Sequence, residues 1–117
     1  MTKKDELLTI ATQALEDLKA QNVTVLPVSE LTSIADYMVI ATGTSSRHVK
    51  ALAQEVTEQA KHAGFQPVGT EGDNSAEWLL VDLGDVIVHV MQAATREFYD
   101  LERLWQNPHQ KPIDIEK

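Results

Sequence analysis

The turn Gly43-Thr44-Ser45-Ser46-Arg47 stands between an apolar run and an amphipathic one. Its amides and hydroxyls open a helix N-terminus, where partial positive charge favours an anion. It lacks the glycine and lysine spacing of a phosphate-binding loop and the three-glycine dinucleotide fingerprint. Helix capping by the hydroxyls is the plain reading; a vestigial anion site at Gly43, Thr44, Ser45, Ser46 and Arg47 is the sharper one. The four histidines, His48, His62, His89 and His109, include no pair at metal-ligand spacing, which argues against zinc. His89, set between Val88 and Val90, reads as a hydrogen-bonded strand residue rather than a general base. Ser45, Ser46 and Ser75 have no evident base and acid beside them, so no hydrolase triad can be drawn. The chain has no cysteine, which removes disulfides, thiolate metal sites and cysteine nucleophiles together.

Strand-to-helix turns of this kind also open the active sites of nucleotidyltransferases, which need two or three carboxylates nearby to hold magnesium against a triphosphate. No Asp-x-Asp or Asp-x-Glu pair follows on a strand here. Asp82 and Asp85 bracket a tight turn whose chemistry already explains them. The expectation is a fold without its reaction: no catalytic residue, no metal and no cofactor.

The remaining candidates suit protein contact. Trp78 lies in one apolar run, His89 and Met91 in the next, and Tyr99, Asp100 and Glu102 follow in a segment mixing aromatic and acidic residues. Tyr and Trp are favoured interface anchors. Between Phe65 and Trp105 there are two bases, Arg96 and Arg103, and eight acids, so this stretch carries −6 of the formal net charge of −8. Nucleic-acid binding depends on Lys and Arg displacing counterions, so little direct RNA or DNA contact is expected. The acidity either keeps the protein soluble or faces a basic protein partner.

Periodicity supplies the elements that must hold these groups. Leu7, Ala11, Ala14, Leu15 and Leu18 predict an amphipathic helix over about residues 4–20. Val23–Leu26 reads as a short strand stopped by Pro27, at an edge or a strand end. Asp36–Ala41, nearly all apolar, predicts a central strand covered on both faces. Val49, Leu52, Ala53, Val56 and Ala60 predict a second helix, closed by Gly64, after which Val68 begins a short strand or loop reaching Glu71. Trp78–Val81 and Val86–Met91 form a hairpin about Asp82-Leu83-Gly84-Asp85. With Gly84 in a bulged turn, Val81 pairs with Asp85, and Trp78, Leu80, Val86, Val88 and Val90 share one face. A two-residue loop instead sets Trp78 opposite His89. Both hairpin faces are apolar; one packs on helices, and the other is covered by helix, tail, subunit or partner.

A last helix is predicted from about Thr95 to Gln106, with Phe98, Leu101 and Trp105 as its buried stripe, stopped by Asn107-Pro108. The order αββαβββα implies one α/β domain over 1–106, a mixed sheet with flanking helices, and a tail at 107–117. The N-terminus is charged, and no apolar run approaches the roughly 18–20 residues of a membrane span, so a cytoplasmic location is expected.

An ordered set of motifs then resembles a known family: Asp36-Tyr37 with Val39-Ile40, Gly43-Thr44-Ser45-Ser46-Arg47-His48-Val49, Glu71-Gly72, Trp78, Val81 through Met91, and Tyr99-Asp100-Leu101-Glu102 before Leu104-Trp105. Over roughly residues 5–106 these are similar to the ribosomal silencing factor family, also called the Iojap family. The resemblance implies a nucleotidyltransferase-like fold without demonstrated catalysis, usually as a homodimer. It implies binding to large-subunit ribosomal protein uL-fourteen on the large ribosomal subunit, where the small subunit would dock, and so repression of translation when nutrients are scarce. A large-subunit assembly factor and a nucleotide-binding enzyme at Gly43–Arg47 are the alternatives. Carried onto this sequence, the expected contact residues are Glu71, Glu77, Trp78, His89, Met91, Tyr99, Asp100 and Glu102. Ala93-Ala94 stands where the family commonly has glutamates, which shifts weight onto Glu71, Glu77, Asp100 and Glu102.

Overall fold

A computed structural model describes residues 3–72 and 74–104. The two most apolar runs become the interior strands β2 (Tyr37–Gly43) and β5 (Val86–Gln92), paired parallel from Tyr37↔Val86 to Gly43↔Gln92. A parallel pair needs a crossover, and helix α2 (Ser46–His62) supplies it. Strand β1 (Gln21–Pro27) pairs antiparallel with β2, strand β4 (Trp78–Asp82) antiparallel with β5, and β3 (Gly69–Gly72) antiparallel with β4. The sheet order is β1-β2-β5-β4-β3, mixed as expected, with the Pro27 strand at an edge. Helix α1 (Lys3–Asp17) precedes the sheet, and α3 (Ala93–Tyr99) and α4 (Leu101–Leu104) follow it. Among the described residues no helix is long and apolar enough to cross a membrane.

Helices α1 and α2 cover one sheet face. Leu7, Ala11, Ala14 and Leu15 from α1 and Val49, Leu52, Ala53, Val56 and Ala60 from α2 pack there on Val39, Ala41, Val81, Val86, Val88 and Val90. Both helices end in the same hydrogen-bond motif. Ala20 N–H donates to Leu15 O at 2.9 Å beyond Lys19 (φ 62°), and Phe65 N–H donates to Ala60 O at 2.9 Å beyond Gly64 (φ 94°). The opposite face has a smaller core of Val28, Met38, Ile40, Met91 and Leu101.

The hairpin register differs from both expected pairings. Trp78 stands opposite Met91, Leu80 opposite His89 and Asp82 opposite Ile87, leaving Gly84-Asp85 as the loop between Leu83 and Val86. Trp78, Leu80, Ile87, His89 and Met91 therefore share one face, and Leu79, Val81, Val86, Val88 and Val90 share the other. Contacts at the loop explain the register. The Asp82 carboxylate accepts the Gly84 N–H at 2.9 Å, and the Asp85 carbonyl accepts both Asp36 N–H (2.8 Å) and Tyr37 N–H (3.1 Å) at the start of β2.

The final helix also differs. It begins at Ala93 and is interrupted at Asp100, which adopts the left-handed conformation (φ 50°, ψ 52°) with its N–H on Arg96 O at 2.9 Å. Asp is among the few residues that enter that region readily. The break removes the continuous stripe: Leu101 is buried, but Phe98 is 79% exposed, and Trp105 lies outside the described residues. The tail at 107–117 lies outside them too.

Candidate functional site

The sheet face away from α1 and α2 carries, from edge to edge, Thr24, Ile40, His89, Leu80 and Glu71 in one row of register partners. Trp78 is the next residue of β4 on this face, half-buried against the second core. Its indole Nε1–H donates to His89 Nδ1 at 2.9 Å, and the two rings lie 5.8 Å apart. His89 is only 5% exposed, and burial, which disfavours the charged imidazolium, lowers its pKa from 6.5 to about 4. The ring is therefore neutral near pH 7, with its proton on Nε2, leaving Nδ1 free to accept from Trp78. Trp78 in turn stacks, tilted 51°, on Tyr99 at 4.9 Å, and Phe98 meets Tyr99 edge-on at 5.0 Å. The aromatic series runs from the interior out to solvent.

The segment before Trp78 is pinned from below. Gln92 N–H donates to Glu77 O at 2.9 Å and Gln92 Nε2 to Ala76 O at 3.3 Å, while Ala76, fully buried, takes φ 54°. Gly72 borders the same place with φ 147°. A Cβ there would lie 2.7 Å from Trp78 O and 2.3 Å from Leu79 Cδ2, so only glycine lets the edge strand approach. The result is an open groove of about 340 Å³ lined by Glu71, Glu77, Trp78, Leu80, Thr95 and Tyr99. Both carboxylates are exposed, and neither has an ion-pair partner among the described residues. Carboxylates beside aromatic faces, with no base in the lining, can receive a cationic side chain through charge and cation–π attraction.

The expected contact residues thus fall into three groups. Glu71, Glu77, Trp78 and Tyr99 line the groove. His89 and Met91 are buried beneath it, where they support Trp78 rather than offer surface. Asp100 and Glu102 line a second, polar groove of about 370 Å³ with Asn22, Thr42, Arg96 and Glu97. There Glu102 is held by Arg96 in a two-pronged pair, Nε to Oε1 and Nη2 to Oε2, each 3.0 Å. Hydrogen bonding from Arg96 keeps the Glu102 carboxyl below the usual carboxylate range despite partial burial. Among the described residues the Asp100 carboxylate pairs with the exposed Arg103, at 3.7 Å. The local motifs did not point to Gln92, Ala76 or Thr42. Thr42 and Arg96 meet across 54 residues of chain, a contact no local signal reports.

Part of the turn after β2 is engaged in internal hydrogen bonds. Ser45 caps α2 by accepting His48 N–H at 3.1 Å, Thr44 N–H donates to His48 Nδ1 at 2.9 Å, and His48 Nε2 donates to Leu18 O at 2.7 Å. A Cβ at Gly43 would lie 2.7 Å from Val49 Cγ2, so this glycine lets the helix sit close to the strand end. Ser46 and Arg47 form the first turn of α2 and are exposed. Asp82 and Asp85 flank the start of β2, whereas the turn follows its end, seven residues and about 20 Å away. Among the described residues no group of three or more metal-ligating side chains is gathered.

Comparison with known proteins gives a consistent pattern. The family model described as "Ribosomal silencing factor during starvation" matches residues 1–117. The chain is 50% identical over 107 residues to the ribosomal silencing factor of Chromobacterium violaceum, covering 92% of this chain and 86% of that one. A crystal structure of a Chromobacterium violaceum protein superposes with a TM-score of 0.87 at 46% identity, covering 99% of this chain and 98% of that one. A mouse relative named "Mitochondrial assembly of ribosomal large subunit protein 1" is 36% identical over 94 residues, 78% of this chain and 41% of that protein.

Proposed function

The chain belongs to the ribosomal silencing factor family, and we propose that it binds the large ribosomal subunit through ribosomal protein uL-fourteen and there blocks joining of the small subunit. Translation is repressed in this way when nutrients are scarce. The observation that carries the reading is the groove itself: Trp78, held by His89 and stacked on Tyr99, beside the exposed carboxylates of Glu71 and Glu77. A preset aromatic anchor with acidic flanks suits basic side chains on a protein partner. Long-range attraction would speed the encounter, and the aromatic pair would slow release.

A bound obstacle needs no turnover. That agrees with a turn after β2 in which Ser45 caps the helix and Thr44 N–H is held by His48, and with hairpin carboxylates far from it. The protein works in the cytoplasm on this reading and, as the family resemblance implies, is a homodimer when free. A second reading, a large-subunit assembly factor, draws on the name of the mouse relative. Such a factor would sit on large subunits without preventing joining. Light-scattering assays of subunit joining separate the two. Silencing expects the wild-type protein to suppress joining and Trp78→Ala to suppress it far less; full joining with the wild-type protein bound would reject silencing and favour assembly.

A further inference from the structure

Helix α3 carries Tyr99 and Phe98, yet none of its residues is fully buried, so apolar packing does little to seat it on the sheet. Arg96 supplies what packing does not. Its side chain is 11% exposed, and its guanidinium makes five hydrogen bonds, as many as it has N–H donors. Nη1 reaches Asn22 O at 2.7 Å and Thr42 Oγ1 at 2.8 Å, and Nη2 reaches Thr24 Oγ1 at 3.0 Å, which ties α3 to β1 and β2. The other two bonds go to Glu102 across the Asp100 break. In an unbroken helix, residues six apart would point about 120° away from each other and sit about 9 Å apart along the axis, so this pair can form only with the break in place.

We propose that Arg96, together with Glu102, is the positioning residue of the docking groove: the clamp sets the α3–α4 corner so that Tyr99 lies against Trp78. The inference rests on the groove being the docking surface, but the clamp itself can be tested without a ribosome. The Trp78 indole Nε1–H resonance in proton–nitrogen spectra senses the Tyr99 ring above it. Arg96→Ala and Glu102→Ala should each move that resonance in the direction in which Tyr99→Ala moves it, while amides of α2 stay in place. Glu102→Ala leaves the three Arg96 bonds to β1 and β2 and so serves if Arg96→Ala does not fold.

In co-sedimentation with isolated large subunits, each clamp variant should weaken binding about tenfold in the wild-type background. In the Tyr99→Ala background neither should weaken it further, because the two act through one contact. An unmoved indole resonance in both clamp variants, or losses that add to that of Tyr99→Ala, would overturn the positioning role. If the clamp variants move the resonance but Tyr99→Ala binds normally, the clamp stands and the docking reading fails.

Discussion

The two faces of the sheet are built from different materials. Under α1 and α2, the buried strand residues are Val and Ala, and the core they share with the helices contains seventeen buried residues, none of them polar. The opposite core contains five, and only this face carries the described buried polar residues, Thr42 and His89. Each of those polar groups is bonded to a residue that shapes the surface above it: Thr42 to Arg96, and His89 to Trp78. Burying a polar group costs stability unless it is hydrogen-bonded, so both partners are needed to hold this thin layer together. One face is a core that folds the chain; the other is a support that orients a surface.

The largest effect should fall on the helical face. Leu52 is fully buried, and Leu52→Ala should cost about 3 kcal/mol of stability, read from urea unfolding, by lost burial plus the cavity left behind. Where it remains folded, its affinity for large subunits should be unchanged. A loss of affinity without a loss of stability would erase the contrast between faces.

On the supporting face, acid should act through His89. The unfolded chain takes up this proton near pH 6.5, while the folded protein resists it until about pH 4. Stability is thus fully present above pH 6.5 and is lost as pH falls through that window, by roughly 3 kcal/mol at most. The Trp78 hydrogen bond is lost with it, because a protonated imidazole has no acceptor. Urea midpoints measured across the window should fall less steeply for His89→Asn than for the wild type; parallel curves would show that His89 does not report this face.

A smaller change is expected at the rim. Glu71 and Glu77 are exposed, so Glu71→Lys with Glu77→Lys should leave stability alone and weaken ribosome binding about tenfold at low salt, with a smaller loss at high salt. Equal losses at both salt concentrations would argue against charge complementarity. The smallest effect belongs to the end of α1, where Lys19 occupies a left-handed position at φ 62°. Lys19→Gly should stabilise by about 0.5–1 kcal/mol in thermal unfolding without altering docking.

Much of the helical face was legible in the sequence, because its signals are local. The spacing of Leu7, Ala11, Ala14 and Leu15, and of Val49 through Ala60, selects a buried stripe whatever it packs on. The supporting face was legible only in part. Trp78, Tyr99, Glu71 and Glu77 stand out by type and by family motif, but their arrangement depends on bonds between distant segments. The hairpin register answers to Asp85 bonded to Asp36 and Tyr37, and the helix break to Arg96 bonded to Thr24, Thr42 and Glu102. Periodicity extends a helix through Asp100; besides the Arg96–Glu102 pair, the contacts that oppose it come from strands more than fifty residues earlier.

The most direct test of the two-face account is equilibrium binding of the wild type, Trp78→Ala and Leu52→Ala to isolated large ribosomal subunits, with all three shown to be folded. Trp78→Ala should bind about 30-fold more weakly, a loss of about 2 kcal/mol typical of a central aromatic anchor, and Leu52→Ala should bind like the wild type. Wild-type affinity in Trp78→Ala, or equal weakening in both variants, would contradict it.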